Sequence, residues 1–110
     1  MPKDDSVYVG HMLDTARRAV RLADGKQRAD FLADEKLRLA LARLVQVVGE
    51  AARRVSEAYC STTPSIPWKA IVGMRNKLVH DYMGVDEEMV WDTVTSELPD
   101  LIERLTRLGT

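Results

Sequence analysis

Apolar residues recur at three- and four-residue spacing through most of the chain, and no stretch sustains a strand-like alternation. An all-α fold follows. Val9, Met12 or Leu13, Ala16, Ala19 or Val20 and Ala23 mark a first helix. Asp4, Asp5 and Ser6 are placed to cap its start, and Gly25 suits a left-handed residue just beyond its end. Lys26 to Ala33 reads as a polar connection, with Phe31 and Leu32 plugging it onto the core.

Asp34 is the N-cap expected for a second helix running to about Tyr59. Its apolar arc is broad, from Leu37 and Leu41 through Val45, Val48, Ala51 and Ala52 to Val55, so it should pack against more than one neighbour. Gly49 thins its middle and invites close approach by another helix. Glu50 is a carboxylate in that same thin region.

Cys60 to Pro67 reads as a loop, holding two prolines and four hydroxyl residues. Pro67 suits the first position of a third helix. Gly84 ends the following segment and Asp86 caps a fourth helix, carrying Met89 or Val90, Val94, Leu98, Leu101 or Ile102, Leu105 and Leu108. Pro99 falls inside that pattern and should kink it, since it removes a donor and crowds the carbonyl of Thr95. The expected architecture is an up-and-down bundle of four main helices in one domain spanning 1–110.

Composition narrows the class. Of the 110 residues, 45 % are hydrophobic and 30 % charged, enough for a core under a soluble surface, and net charge is −1. Binding to nucleic acid would therefore need a local basic patch or charge from a partner. Arg17, Arg18 and Arg21, or Arg53 and Arg54, offer such a patch, or else a solvated face. Cys60 is the single cysteine, which excludes an intrachain disulfide and a cysteine-cluster zinc site and fits a cytoplasmic location. The N-terminal residues lack signal-peptide order, and no apolar run is long enough to span a bilayer.

Chemistry concentrates in Met74-Arg75-Asn76-Lys77-Leu78-Val79-His80-Asp81-Tyr82-Met83-Gly84. At about 100° per residue, Trp68, Ile71, Val72, Arg75, Leu78 and Val79 share one arc, apolar except for Arg75. A guanidinium there must snorkel out or pair with a carboxylate, and Glu50 is the candidate. Lys69, Gly73, Asn76 and His80 form a second arc. Arg75 and His80 point about 140° apart on a straight helix. They converge only through the reach of Arg75, through helix termination near His80, or across a dimer.

Histidine can move the proton of a 2′-hydroxyl or of a leaving oxygen. Arginine can fork onto phosphate and stabilise developing charge. Asn76 could orient the phosphate or fix the imidazole tautomer. No carboxylate or histidine cluster suggests a metal, and no cofactor is indicated. From spacing alone, a carbonyl-bonded histidine and a salt-bridged arginine remain the bland alternative. His11 is expected at the surface or core edge, and Trp68 and Trp91 as packing anchors. Tyr82 is either a core tyrosine or, with Gly84 so near, an accessible hydroxyl.

Arg75 to Tyr82 matches the R-x4-H-x-Y signature of the HEPN superfamily, and the segment resembles HepT-type toxins. The likeness extends along the chain in order, through Phe31-Leu32-Ala33-Asp34, Val48-Gly49-Glu50-Ala51-Ala52, Ile66-Pro67-Trp68, Gly84-Val85-Asp86 and Val90-Trp91-Asp92. It implies a HEPN-like homodimeric bundle with metal-independent endoribonuclease activity, in which Arg75 and His80 act on RNA across the dimer cleft. It further implies a toxin–antitoxin pair. An MntA-like nucleotidyltransferase antitoxin would transfer AMP to Tyr82, and the added phosphates would occupy the site and repel RNA. The two partners could close into a larger hetero-oligomer. The competing expectation is a non-catalytic nucleotide-binding or adaptor module that uses the same residues to dock a nucleotidyltransferase.

Overall fold

A computed structural model describes residues 2–79 and 86–108. All regular structure in them is helical: α1 Lys3–Ala23, α2 Arg28–Ala33, α3 Glu35–Arg54, α4 Glu57–Thr62, α5 Trp68–Val79, α6 Glu87–Asp92 and α7 Leu98–Leu108. A π turn, Thr93–Glu97, joins α6 directly to α7. The four main helices are thus α1, α3, α5 and the composite rod from α6 to α7. Among the described residues, no helix is long and apolar enough to cross a membrane.

The central helix is α3. It packs on α1 along one side and on α5 along another, while α1 also lies against α7. This is the outcome expected of its broad apolar arc. Met12, Ala16 and Ala19 of α1 meet Leu41, Val45 and Val48 of α3 in a core closed by Val94, Leu98 and Leu105. The predicted caps at Asp34 and Asp86 form as expected, accepting from the backbone N–H of Leu37 and Met89. Gly25 adopts φ +75° just beyond α1, a conformation that favours glycine.

Several expected boundaries shift. Asp4, Asp5 and Ser6 lie inside α1, which starts after Pro2 without a side-chain cap. Asp5 is instead 3 % exposed. Its two carboxylate oxygens accept from the backbone N–H and the hydroxyl of Ser56, both at 2.7 Å. That contact explains a second correction. The helix expected to reach Tyr59 stops at Arg54, because Asp5 takes the N–H that Ser56 would need to continue it. The Ser56 hydroxyl then caps α4 by accepting from Tyr59 N–H at 3.2 Å.

Cys60, Ser61 and Thr62 consequently belong to α4 rather than to a loop. Pro67 stands one residue ahead of α5, not at its first position. The supposed connection before Asp34 contains α2, a helix of six residues. Phe31 plugs the core and stacks against Trp91 with ring centroids 5.1 Å apart, but Leu32 faces water at 42 % exposure. So short a helix buries only one stripe. Arg28 of α2 clasps α6 through Glu88 at 2.5 Å and Asp92 at 2.7 Å. The hydrogen bond to Asp92, reinforced by the Glu88 charge, raises the guanidinium's affinity for its proton.

At Pro99 the irregularity is the preceding π turn. Leu98 N–H reaches back to the Thr93 carbonyl, and the Thr95 hydroxyl donates to the Trp91 carbonyl at 2.8 Å. The wider turn accommodates a proline that has no N–H to offer an α ladder.

Candidate functional site

The site is built on α5. The indole N–H of Trp68 donates to the buried Thr63 hydroxyl at 3.0 Å, and Arg104 ties the preceding turn to α7 through the Ser65 carbonyl at 2.7 Å. Trp68 and Ile71 are buried, while Lys69, Gly73 and Asn76 lie exposed on the opposite arc, as their spacing predicts. Near the C-terminal end of α5, Lys77 Nζ stands 3.7 Å from an Asp86 carboxylate oxygen, linking α5 to the cap of α6.

Arg75 lies against α3. A Cβ added to Gly49 would sit 2.1 Å from Arg75 Cβ and 2.8 Å from its Cγ. Gly49 therefore lets the two helices meet at the arginine, as the thin middle of α3 suggested. The guanidinium donates from Nη1 to Asn76 Oδ1 at 3.0 Å. Its Nε is buried with no hydrogen-bond partner among the described residues. A buried donor without an acceptor is costly, and an anion reaching this edge would relieve that cost.

Glu50 is not the anchor of Arg75, contrary to expectation. It accepts from Gln46 Nε2 at 3.1 Å and lies 3.6 Å from Arg43 Nη1. Those partners are four and seven residues earlier, on one face of α3. Gly49, one residue before, occupies the face turned to α5, so Glu50 points elsewhere. His80 and Tyr82 lie outside the described residues. Among the described residues no group of three or more histidine, cysteine, aspartate or glutamate side chains could hold a metal. His11 is exposed on α1, and both tryptophans are packing residues.

Among the described residues, α5 borders several grooves, two of which bear on the arginine's surroundings. One, of about 430 Å³, lies toward the π turn and α7 and is lined by Ile71, Met74 and Leu98. The other, of about 930 Å³, lies toward α4 and the end of α3 and includes Arg53, Lys69, Gly73 and Asn76. Cys60 lines this second groove. Burial, and then the negative charge of Asp5, push its thiol above the ordinary range. Sequence reading missed two structural supports of this region, Asp5 and the Lys77–Asp86 pair. Both join residues from different helices, and nothing in the local spacing marks them.

The helix order, the α5 arginine with an uncommitted donor and the R-x4-H-x-Y segment define a HEPN-type helical bundle. The chain belongs to the ribonuclease HepT-like family, whose profile matches residues 12–108. A candidate RNase of Caldanaerobacter subterraneus subsp. tengcongensis is 31 % identical over 92 % of this chain and 90 % of its own length. A candidate RNase of Methanocaldococcus jannaschii is 29 % identical over 98 % of this chain and 90 % of its own length. The probable ribonuclease HepT of Thermococcus cleftensis is 37 % identical over 72 % of each chain. No solved structure matches at a significant level.

Proposed function

We propose that the chain is a metal-independent endoribonuclease in which Arg75 and His80 act on the scissile phosphodiester. The observation that carries this reading is the buried Nε of Arg75, unpartnered among the described residues, beside an Asn76-held Nη1 five residues before His80. Nε and Nη2 share the guanidinium edge that forks onto two phosphate oxygens. The His80 imidazole takes the proton of the attacking 2′-hydroxyl. As the new P–O bond forms, the P–O bond to the 5′-oxygen breaks and that oxygen receives a proton. Arg75 stabilises the charge gathered on phosphorus oxygens between the two events. Names of relatives from two archaea and a bacterium support RNA as substrate.

The roughly 140° between Arg75 and His80 on a straight helix favours a homodimer that brings the two groups to one phosphate from facing subunits. We assign the chain the toxin role of a toxin–antitoxin pair. Its partner is an MntA-like nucleotidyltransferase that adds AMP to Tyr82. The phenolic oxygen attacks the α-phosphorus of ATP, pyrophosphate leaves, and the phenolic proton passes to base. The motif tyrosine two residues beyond His80 supports this assignment.

The test is incubation of the purified chain with RNA in excess chelator. Cleavage by the parent, lost in Arg75→Ala and His80→Ala, is expected. Equal cleavage by His80→Ala overturns the assignment. Co-expression with a nucleotidyltransferase partner should add mass in AMP steps that Tyr82→Phe abolishes, and additions that persist in that variant place the acceptor elsewhere.

A further inference from the structure

We propose that the groove between α4 and α5 carries the backbone of the single-stranded RNA beside the cleaved bond, with Arg53 and Lys69 as positioning residues for its phosphates. This rests on the ribonuclease reading above and assigns a path for the strand that Arg75 and His80 alone do not define.

Three observations carry it. First, the groove is large enough for a strand, about 930 Å³, and Asn76 lies in its lining. Asn76 is also the residue that accepts from Arg75 Nη1, so one wall of the groove is bonded to the guanidinium. Second, its lining is net positive. Arg53 and Lys69 line it from opposite walls, α3 and α5, and neither makes an ion pair among the described residues; Glu57 is the one acidic residue in the lining. The neighbouring Arg54 behaves differently, its guanidinium lying 6.0 Å from the ring centroid of Tyr8 on α1. Of the adjacent pair, Arg53 is therefore the one offered to a ligand.

Third, the two other cavities beside α5 do not suit an anion. The cavity toward α7 has Glu97 and Asp100 over an apolar floor. The one toward α6 gathers Asp86, Glu88, Asp92 and Glu97 around Lys77. With net charge of −1 over the whole chain, a polyanion is steered to this groove, where, among the described residues, cations outnumber acids. The floor is Ala52, Val55, Val72 and Gly73, without a free aromatic ring, since Trp68 is buried and its indole bonded to Thr63. Contacts to phosphates without base stacking make this binding independent of sequence.

The experiment measures binding and cleavage separately on the full chain. A labelled 2′-O-methyl RNA 12-mer, which cannot be cleaved, is titrated by fluorescence anisotropy at several salt concentrations. The variants are Arg53→Gln with Lys69→Gln, and the control Arg18→Gln with Arg21→Gln, which alters exposed cations of α1 outside the groove. The groove variant is expected to bind about tenfold more weakly and to reduce the slope of log K against log salt by about 1.4, the value for two phosphate contacts on a single strand. In cleavage it should raise KM with kcat within about twofold. The control should leave binding within about twofold.

Equal losses in both variants mean diffuse charge and overturn the proposal. So does unchanged binding in the groove variant. A shift in sedimentation to a smaller species in the groove variant assigns the groove to a second copy of the chain and overturns it too. Failure of the parent to cleave any RNA would sink the ribonuclease reading alone, because the anisotropy result stands without turnover.

Discussion

Gly49 and Arg75 meet at a distance that leaves no room for a methyl group: a Cβ on the glycine would lie 2.1 Å from Arg75 Cβ and 3.3 Å from its Cα. These are the stem and backbone of α5, not the movable end of a side chain. Gly49→Ala must push α5 away from α3. A destabilisation of about 1–3 kcal/mol is expected, as for overpacking. Thermal unfolding checks it, at roughly 4–8 °C per kcal/mol for a domain near this size. Activity should fall further than stability explains, since the displaced helix carries Arg75.

Arg75 and Glu50 are separable. Arg75→Lys keeps the charge but removes Nε and the fork, so RNA cleavage should drop about a hundredfold. Among the described residues, Glu50→Gln touches the Gln46 and Arg43 contacts of α3. It should leave cleavage within about twofold and stability within about 0.5 kcal/mol. A large effect of Glu50→Gln on turnover would show that the carboxylate acts on the site after all.

Asp5→Ala removes both acceptors of Ser56 and leaves its N–H unsatisfied beside a buried site. The expected cost is about 1–3 kcal/mol. Amide exchange should quicken first at Ser56 to Tyr59, where α4 begins. Protection unchanged there would mean that α4 holds its start without α1.

Cys60 should alkylate slowly. Only the thiolate reacts, and a pKa raised by burial and by Asp5 leaves less thiolate at neutral pH than an ordinary cysteine has. Iodoacetamide labelling of the folded chain should therefore rise at higher pH than labelling of the denatured chain. Asp5→Asn should move the folded profile toward lower pH, because it deletes the neighbouring negative charge.

Much of the bundle was legible because helix periodicity and caps are local. Asp34, Gly25 and Asp86 announce their roles within four residues of where they act. The Gly49 contact was legible in kind, since a glycine inside an apolar arc signals close approach. The Arg75 contact with Asn76 was not expected, and the Glu50 pairing was misplaced, because one residue of rotation separates Gly49 from Glu50 on α3. The break at Ser56 was invisible for a different reason. Its cause is Asp5, 51 residues away, and no local propensity encodes a tertiary acceptor. The R-x4-H-x-Y motif, with the ordered segments around it, pointed to the ribonuclease family that the profile match shows, and it did so without any of these tertiary details.

The π turn ties the length of the last rod to its proline. Thr93–Glu97 holds roughly one residue more than an α turn would, so the apolar stripe of Val90 and Val94 continues into Leu98, Leu101 and Leu105 without losing phase. Deleting Ser96 should return the segment to α geometry with that phase kept. It would also press Pro99 into a regular ladder, at a cost of about 3 kcal/mol. Combining the deletion with Pro99→Ala should recover most of that loss, a non-additivity that denaturant melts of the three variants would read directly. The surplus residue and the proline thus form one structural unit, each tolerable in this helix because the other is present.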